Sequence, residues 1–287
     1  SSFFIKIFAE GTLSKIHLTL VAEKYGSINK PVLLKKEVLF PFYIFWFSIA
    51  EVLAVVDPVM GFALHSISLP ILAIHVSACH RIDPDSSKLA VAISPIPLVR
   101  IVSIASPLIQ FTILQWFLVI SMILFSSILV AILLIGNDVS EYGFRITEKE
   151  NYPIEVVIVL AGLLFGFIEY QILSPTSLVE TLTLAGLIAP LIALYFGTGL
   201  LEELLFRGLI QKHSIDSFGS WYGIAFTNVI FMILHTGWES GADLIFVGIV
   251  GVIFSIVVVK TGSIVGVSFS HAITNLSLFV LTPEIFG

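Results

Sequence analysis

Three short motifs in the C-terminal half of the chain place acid–base and hydrogen-bonding residues inside hydrophobic stretches. Leu201-Glu202-Glu203-Leu204-Leu205-Phe206-Arg207 sets two carboxylates and a guanidinium in an otherwise apolar run. Phe231-Met232-Ile233-Leu234-His235 ends a second run with an imidazole, and Gly237-Trp238 follows it. His271-Ala272-Ile273-Thr274-Asn275 puts an imidazole and a carboxamide into a third. An ionisable residue inside a membrane span is costly and is a functional hypothesis by default. Together, one carboxylate, two imidazoles and one carboxamide supply a general base, a proton carrier and hydrogen-bond donors. That is a hydrolytic inventory: one part activates water, another holds an oxyanion.

Each motif also has a plainer reading. On a helix Glu203 and Arg207 are four residues apart and face each other, so they can pair. For these two the favoured reading is an ion pair that holds helices together. Glu202 lies about 100° further around the helix and lacks this local partner. An unpaired carboxylate needs a polar cavity to exist there, which favours a site role. His235 at a helix end is, taken alone, more often a structural or interfacial residue. His271 and Asn275 share one helix face and taken alone serve equally well as an interhelical hydrogen-bonding pair. The combination, rather than any one motif, points to chemistry.

The elements that carry these residues follow from composition. Of 287 residues, 57 % are hydrophobic and 12 % charged, with a mean hydropathy of +1.05. A soluble domain carries about 25 % charged residues, so this chain cannot cover a water-facing surface. An ordinary soluble enzyme, a nucleic-acid binder and a disordered chain are excluded. The expected fold is all-α, a polytopic transmembrane helix bundle of about eight spans. The net charge of −6 says little about partners. The single cysteine, Cys79, can form neither an intramolecular disulfide nor a cysteine metal site. Phe3–Phe8 is too short for the apolar core of a cleavable signal, so none is expected.

Residues 1–37, with Lys15, Lys24, Lys30, Lys35 and Lys36, read as an amphipathic arm on the cytoplasmic membrane surface. Residues 38–136 form the N-terminal transmembrane helices, and 137–287 the catalytic transmembrane core. The expected spans are Leu39–Val56, Val59–Cys79, Pro107–Ile135, Pro153–Leu173, Thr183–Gln211, Phe218–Thr236, Ala242–Lys260 and Ser263–Leu281. Leu89–Ala105 is apolar but holds Pro95, Pro97 and Arg100, so an interfacial or re-entrant helix is expected there. The charge rule favours nine crossings, whereas the prolines and Arg100 favour eight. The polar loop Asn137–Asn151 separates a half with few intramembrane ionisable residues (Glu51, His65, His75) from one where they cluster.

In order, Glu202-Glu203-x-x-x-Arg207, Phe231-x-x-x-His235 and His271-x-x-x-Asn275 resemble the three motifs of the type II CAAX prenyl protease family, also called the CPBP or Abi intramembrane proteases. Gly208 closes the first motif, Lys260-Thr261-Gly262-Ser263 precedes the third, and Tyr142-Gly143-Phe144-Arg145 lies just before this region. The resemblance covers roughly residues 141–281. It implies a membrane-embedded site and endoproteolysis of a prenylated C-terminus, releasing the last three residues after the lipidated cysteine. It implies that Glu202 and His235 activate water, that His271 and Asn275 stabilise the oxyanion, and that Glu203 and Arg207 support the site. The implied partners are membrane lipids and a prenylated or membrane-associated peptide or protein, without nucleic acid. The expected setting is the prokaryotic cell membrane, as a multi-pass protein.

No cofactor is expected. The alternative is zinc held by His235, His271 and Glu202 as two His and one Glu. Against it, no His-Glu-x-x-His is present and Asn275 is a poor zinc ligand, so the metal-free glutamate mechanism is favoured. Gly266-Val267-Ser268 lacks the second glycine of a serine-protease elbow, and Ser268 reads as helix packing. The alternative from another class is a non-catalytic scaffold, immunity or regulatory protein. Such a scaffold has no need of Glu202 together with both histidines.

Overall fold

The computed structural model describes residues 36–108, 111, 113–179 and 183–287. The expected arm at 1–37 lies outside the described residues but for its last two. Residues 36–287 form one compact unit, and no strand occurs among the described residues. The chain is an all-α polytopic bundle. Among the described residues, eight helices are long and apolar enough to cross a membrane.

The helices begin where the sequence supplies caps. α1 spans Lys36–Val56. α2, Pro58–Cys79, opens with Asp57, whose carboxylate accepts the amides of Val59 at 3.1 Å and Met60 at 3.2 Å, and with Pro58 at the first position. α3 (Pro84–Ile93) repeats the device with Asp83 and Pro84, and α4 (Pro95–Ala105) follows after Ser94 alone. α5 is Ile113–Ile135 and α6 is Tyr152–Leu173.

The long helical run after residue 183 is irregular. α7 (Leu184–Leu194) widens into a π-helical turn at Tyr195–Leu200. The short α8 (Leu201–Glu203) follows, then a second π turn at Leu204–Ile210, then α9 (Gln211–Phe218). Gly219, at φ 84°, breaks the run before α10 (Ser220–Ile233). α11 is Gly241–Thr261 and α12 is Val265–Leu276. A π turn at Ser277–Leu281 leads into α13 (Thr282–Phe286).

Two helices depart from expectation. The segment expected to be interfacial or re-entrant is helical from Pro84 to Ala105, 22 residues, long and apolar enough to cross. Pro95 sits at the start of α4, where the missing N–H costs little. Arg100 is neutralised by Glu51 on α1, its Nε 2.6 Å from Oε1. Both features that argued against a crossing therefore have local solutions. Conversely, the helix expected over Phe218–Thr236 is α10, only 14 residues. At about 1.5 Å per residue it reaches about 21 Å, short of the roughly 30 Å hydrocarbon layer. Gly219 and the turn at Thr236–Trp238 cut it at both ends.

Burial is inverted relative to a soluble protein. Phe45, Ile74, Met122, Leu133, Leu134 and Leu164 are exposed on the outside, while Glu51, His65, Glu203, Arg207, Asp243 and His271 are buried. Apolar side chains face lipid and the polar groups must find one another inside.

α12 packs most extensively on α6 and on the π turn at 195–200. Small residues permit the approach. A Cβ on Gly162 would stand 2.5 Å from Ser270 O, one on Gly166 would overlap Thr274 O, and one on Gly199 would stand 2.6 Å from Ser268 O. These contacts press the His271–Asn275 face against the carboxylates of α8. Gly166→Val should therefore separate α6 from α12 and cost about 1–3 kcal/mol or more, read as a lower thermal midpoint in detergent. Gly241→Ala, where nothing lies within 4 Å, should stay within about 0.5 kcal/mol. Equal midpoints for the two variants would refute the close-approach argument.

Candidate active site

The centre of the site is an ion cluster. Glu203 is fully buried and Arg207 is 2 % exposed. Arg207 Nη1 donates to Glu203 Oε1 at 2.9 Å, as the four-residue spacing requires. Arg207 Nη2 donates to Gly251 O on α11 at 3.2 Å, and the guanidinium lies 4.4 Å over the ring of Phe231. A Cβ on Gly251 would stand 3.1 Å from Nη2, so glycine leaves room for the contact. One buried cation thus ties α8, α10 and α11 together.

Glu203 reaches across to α12. His271 Nδ1 lies 2.7 Å from Glu203 Oε1. The carboxylate can only accept, so Nδ1 carries the hydrogen and Nε2 points elsewhere. Nε2 stands 3.9 Å from Glu202 Oε2. That is too long for a hydrogen bond, and among the described residues the Glu202 side chain makes none. It lines a cavity of about 460 Å³ that also meets Thr198, Arg100, Phe231 and His235. The free carboxylate expected from its helical angle is therefore a cavity wall.

His235 sits where α10 has ended. Its Nδ1 lies 2.9 Å from Phe231 O. A carbonyl accepts, so this ring also donates from Nδ1, and its Nε2 is left with a lone pair when the ring is neutral. His235 lines both the large cavity and a smaller one of about 40 Å³, which it shares with His271, Asn275 and Glu169. The Phe231 ring stands between the parts, 4.7 Å from His235 and 6.4 Å from His271 by ring centres.

Asn275 is held by a residue not anticipated from sequence. Its Nδ2 donates to Thr198 Oγ1 at 2.9 Å, and Thr198 donates in turn to Leu194 O at 2.6 Å. One N–H of the carboxamide is used and the other is left over. Thr198 and Glu202 are four residues apart, so the spacing was a readable signal. Glu169 on α6, 8 % exposed and lining the smaller cavity, was also not anticipated. Its signal was a carboxylate inside the expected span Pro153–Leu173.

The six residues picked from sequence thus form one neighbourhood. Residues 184–277 match the family model for type II CAAX prenyl endopeptidase Rce1-like proteins. The Rce1-like segment takes in all three motifs and also Thr198. It is narrower than the 141–281 expected. The loop before it is nevertheless fastened to the segment: Ile264 N donates to Gly143 O at 2.9 Å, Arg145 Nε to Gly262 O at 2.9 Å, and Ser263 Oγ to Arg145 O at 2.7 Å. That loop fixes the turn from which α12, with His271, departs. No curated protein and no solved structure gives a match to the chain.

The zinc alternative can be weighed on the donors. Among the described residues no three of His, Cys, Asp or Glu stand grouped to hold a metal ion. Both histidines spend Nδ1 on a hydrogen bond, which leaves each Nε2 available as it would be in a metal-ligating histidine, and Glu202 stands 3.9 Å from the Nε2 of His271. As placed, His235, His271 and Glu202 are not gathered as a two-His, one-Glu centre.

Proposed function

We propose that this membrane protein of the CAAX protease family is a glutamate-type intramembrane endopeptidase acting on a prenylated or membrane-associated C-terminal peptide. The observation that carries the reading is the pairing of a cavity-facing Glu202, which has no close partner, with a second carboxylate, Glu203, that is fully committed to Arg207 and His271. One carboxylate is kept reactive and the other is structural.

Water in the large cavity gives a proton to Glu202 as its oxygen attacks the scissile carbonyl carbon, with His235 Nε2 as the second proton acceptor beside it. The carbonyl oxygen becomes an oxyanion, turned past the Phe231 ring toward the smaller cavity that His271 and Asn275 line. The remaining N–H of Asn275 donates to it, as does His271 Nε2 when that ring carries both protons. The proton held at Glu202 or His235 then passes to the departing amine as the C–N bond breaks. Arg207 and Glu203 fix His271 and touch no substrate. The prenyl chain lies along the apolar side of the cavity, where Phe117, Ile120 and Leu124 of α5 face it.

The test is cleavage of a farnesylated peptide ending in Cys and three further residues, in proteoliposomes, followed by mass spectrometry. Loss of the three terminal residues from the prenylated peptide supports the reading, and no cleavage by folded protein favours the non-catalytic alternative. In the same assay, phenanthroline should leave the rate unchanged. Activity lost to the chelator and restored by zinc would overturn the metal-free mechanism.

A further inference from the structure

The large cavity holds a second charged group that the proposed chemistry does not use. Arg100, on α4, is the only Lys or Arg among its described lining residues. Its Nε and Nη2 both bond to the carboxylate of Glu51 on α1, at 2.6 and 2.5 Å. Glu51 is also approached by His65 Nε2 of α2 at 3.0 Å. Glu51 and His65 are sealed at 0 % side-chain exposure, whereas Arg100 is 20 % exposed. Glu51, itself approached by His65, thus holds the guanidinium through Nε and Nη2, and Nη1 has no hydrogen-bond partner among the described residues.

Resting on the endopeptidase reading, we infer that Arg100 is the anchor for the free C-terminal carboxylate of the substrate. The two charges in the cavity then have separate duties. Glu202 repels an anion and needs a neutral peptide bond beside it. An anionic chain end is therefore held away from Glu202, at the cation, and this sets which way the peptide threads. Glu51 already balances the charge of Arg100, so the contact rests on the hydrogen bonds that the remaining guanidinium N–H groups donate, which apolar walls strengthen by excluding water. A guanidinium already fixed by Glu51 loses little freedom on binding, which suits planar recognition of a carboxylate. The cost of a buried ion pair in a membrane protein is weak grounds for a purely structural role, because apolar packing serves as well.

The full chain in lipid nanodiscs is tested for equilibrium binding of an apolar tripeptide acid and of the same tripeptide as its C-terminal carboxamide. Wild type should bind the acid about tenfold or more tightly than the amide, the size of one charge-assisted hydrogen bond. Arg100→Gln should bring the ratio close to one and leave amide binding unchanged. Because Arg100→Gln leaves Glu51 without its cation, Glu51→Gln/Arg100→Gln is measured in parallel and is read if the single variant does not fold. Wild type that binds neither tripeptide or binds both alike, or variants that weaken both alike, would overturn the anchor. Cleavage of the prenylated acid and amide peptides is followed beside it. Selective binding without cleavage would sink the protease reading alone. Equal cleavage of the two peptides would sink the anchor alone.

Discussion

Glu202→Gln should lower peptide cleavage at least about a thousandfold, within the range expected for loss of a general base, and leave the protein folded. The two halves of the expectation have separate causes. Gln keeps the shape of Glu but cannot take a proton, so the water beside it is no longer activated. Stability should change by no more than about 0.5 kcal/mol, because among the described residues Glu202 satisfies no hydrogen-bond donor that the substitution would orphan. Its nearest charged neighbour is His271 Nε2 at 3.9 Å. Glu203→Gln makes the instructive contrast. That carboxylate oxygen accepts from both Arg207 and His271, so its loss should reduce stability and activity together. Single-turnover cleavage and thermal midpoints on both variants check this. A Glu202→Gln protein with wild-type turnover would show that another group activates the water.

Local geometry made much of this legible in advance. The Glu203–Arg207 pair follows from a four-residue spacing, which survives the widening at Leu204–Ile210 because both side chains still leave the same face. The freedom of Glu202 follows from the same helix. Apolar composition fixed the fold class, since a chain with 12 % charge has no other solvent. Pairings across the bundle were not legible. Thr198 and Asn275 are 77 residues apart, and Glu51 and Arg100 are 49 apart. Nothing in either member's local sequence names the other. The Pro84–Ala105 helix was harder for a related reason. Arg100 and the prolines argue against a span until Glu51 and the first-turn position of Pro95 are known. The shortness of α10 depends on Gly219 taking a positive φ. A glycine in sequence permits that without requiring it.

Arg207→Met should be among the most damaging single substitutions in stability. The guanidinium is the counter-charge of a carboxylate with no exposure at all, and it also bonds Gly251 O and lies on the Phe231 ring. Removing one member of a buried pair strands the other, at about 3–5 kcal/mol. For a chain of this size that corresponds to a fall in thermal midpoint on the order of 10 °C. Adding Glu203→Gln removes the stranded charge, so the double variant should recover most of the lost stability. It should not recover cleavage. His271 Nδ1 would then face a neutral amide in place of a carboxylate, and the ring would lose the partner that fixes its tautomer and aim. Stability and activity are thus expected to separate in the double variant and to fall together in the single one. If the double variant remains as unstable as Arg207→Met, the guanidinium acts through Gly251 and Phe231 more than through Glu203. If it regains activity along with stability, Glu203 is a counter-ion only, and His271 is oriented by the packing of α12 on α6.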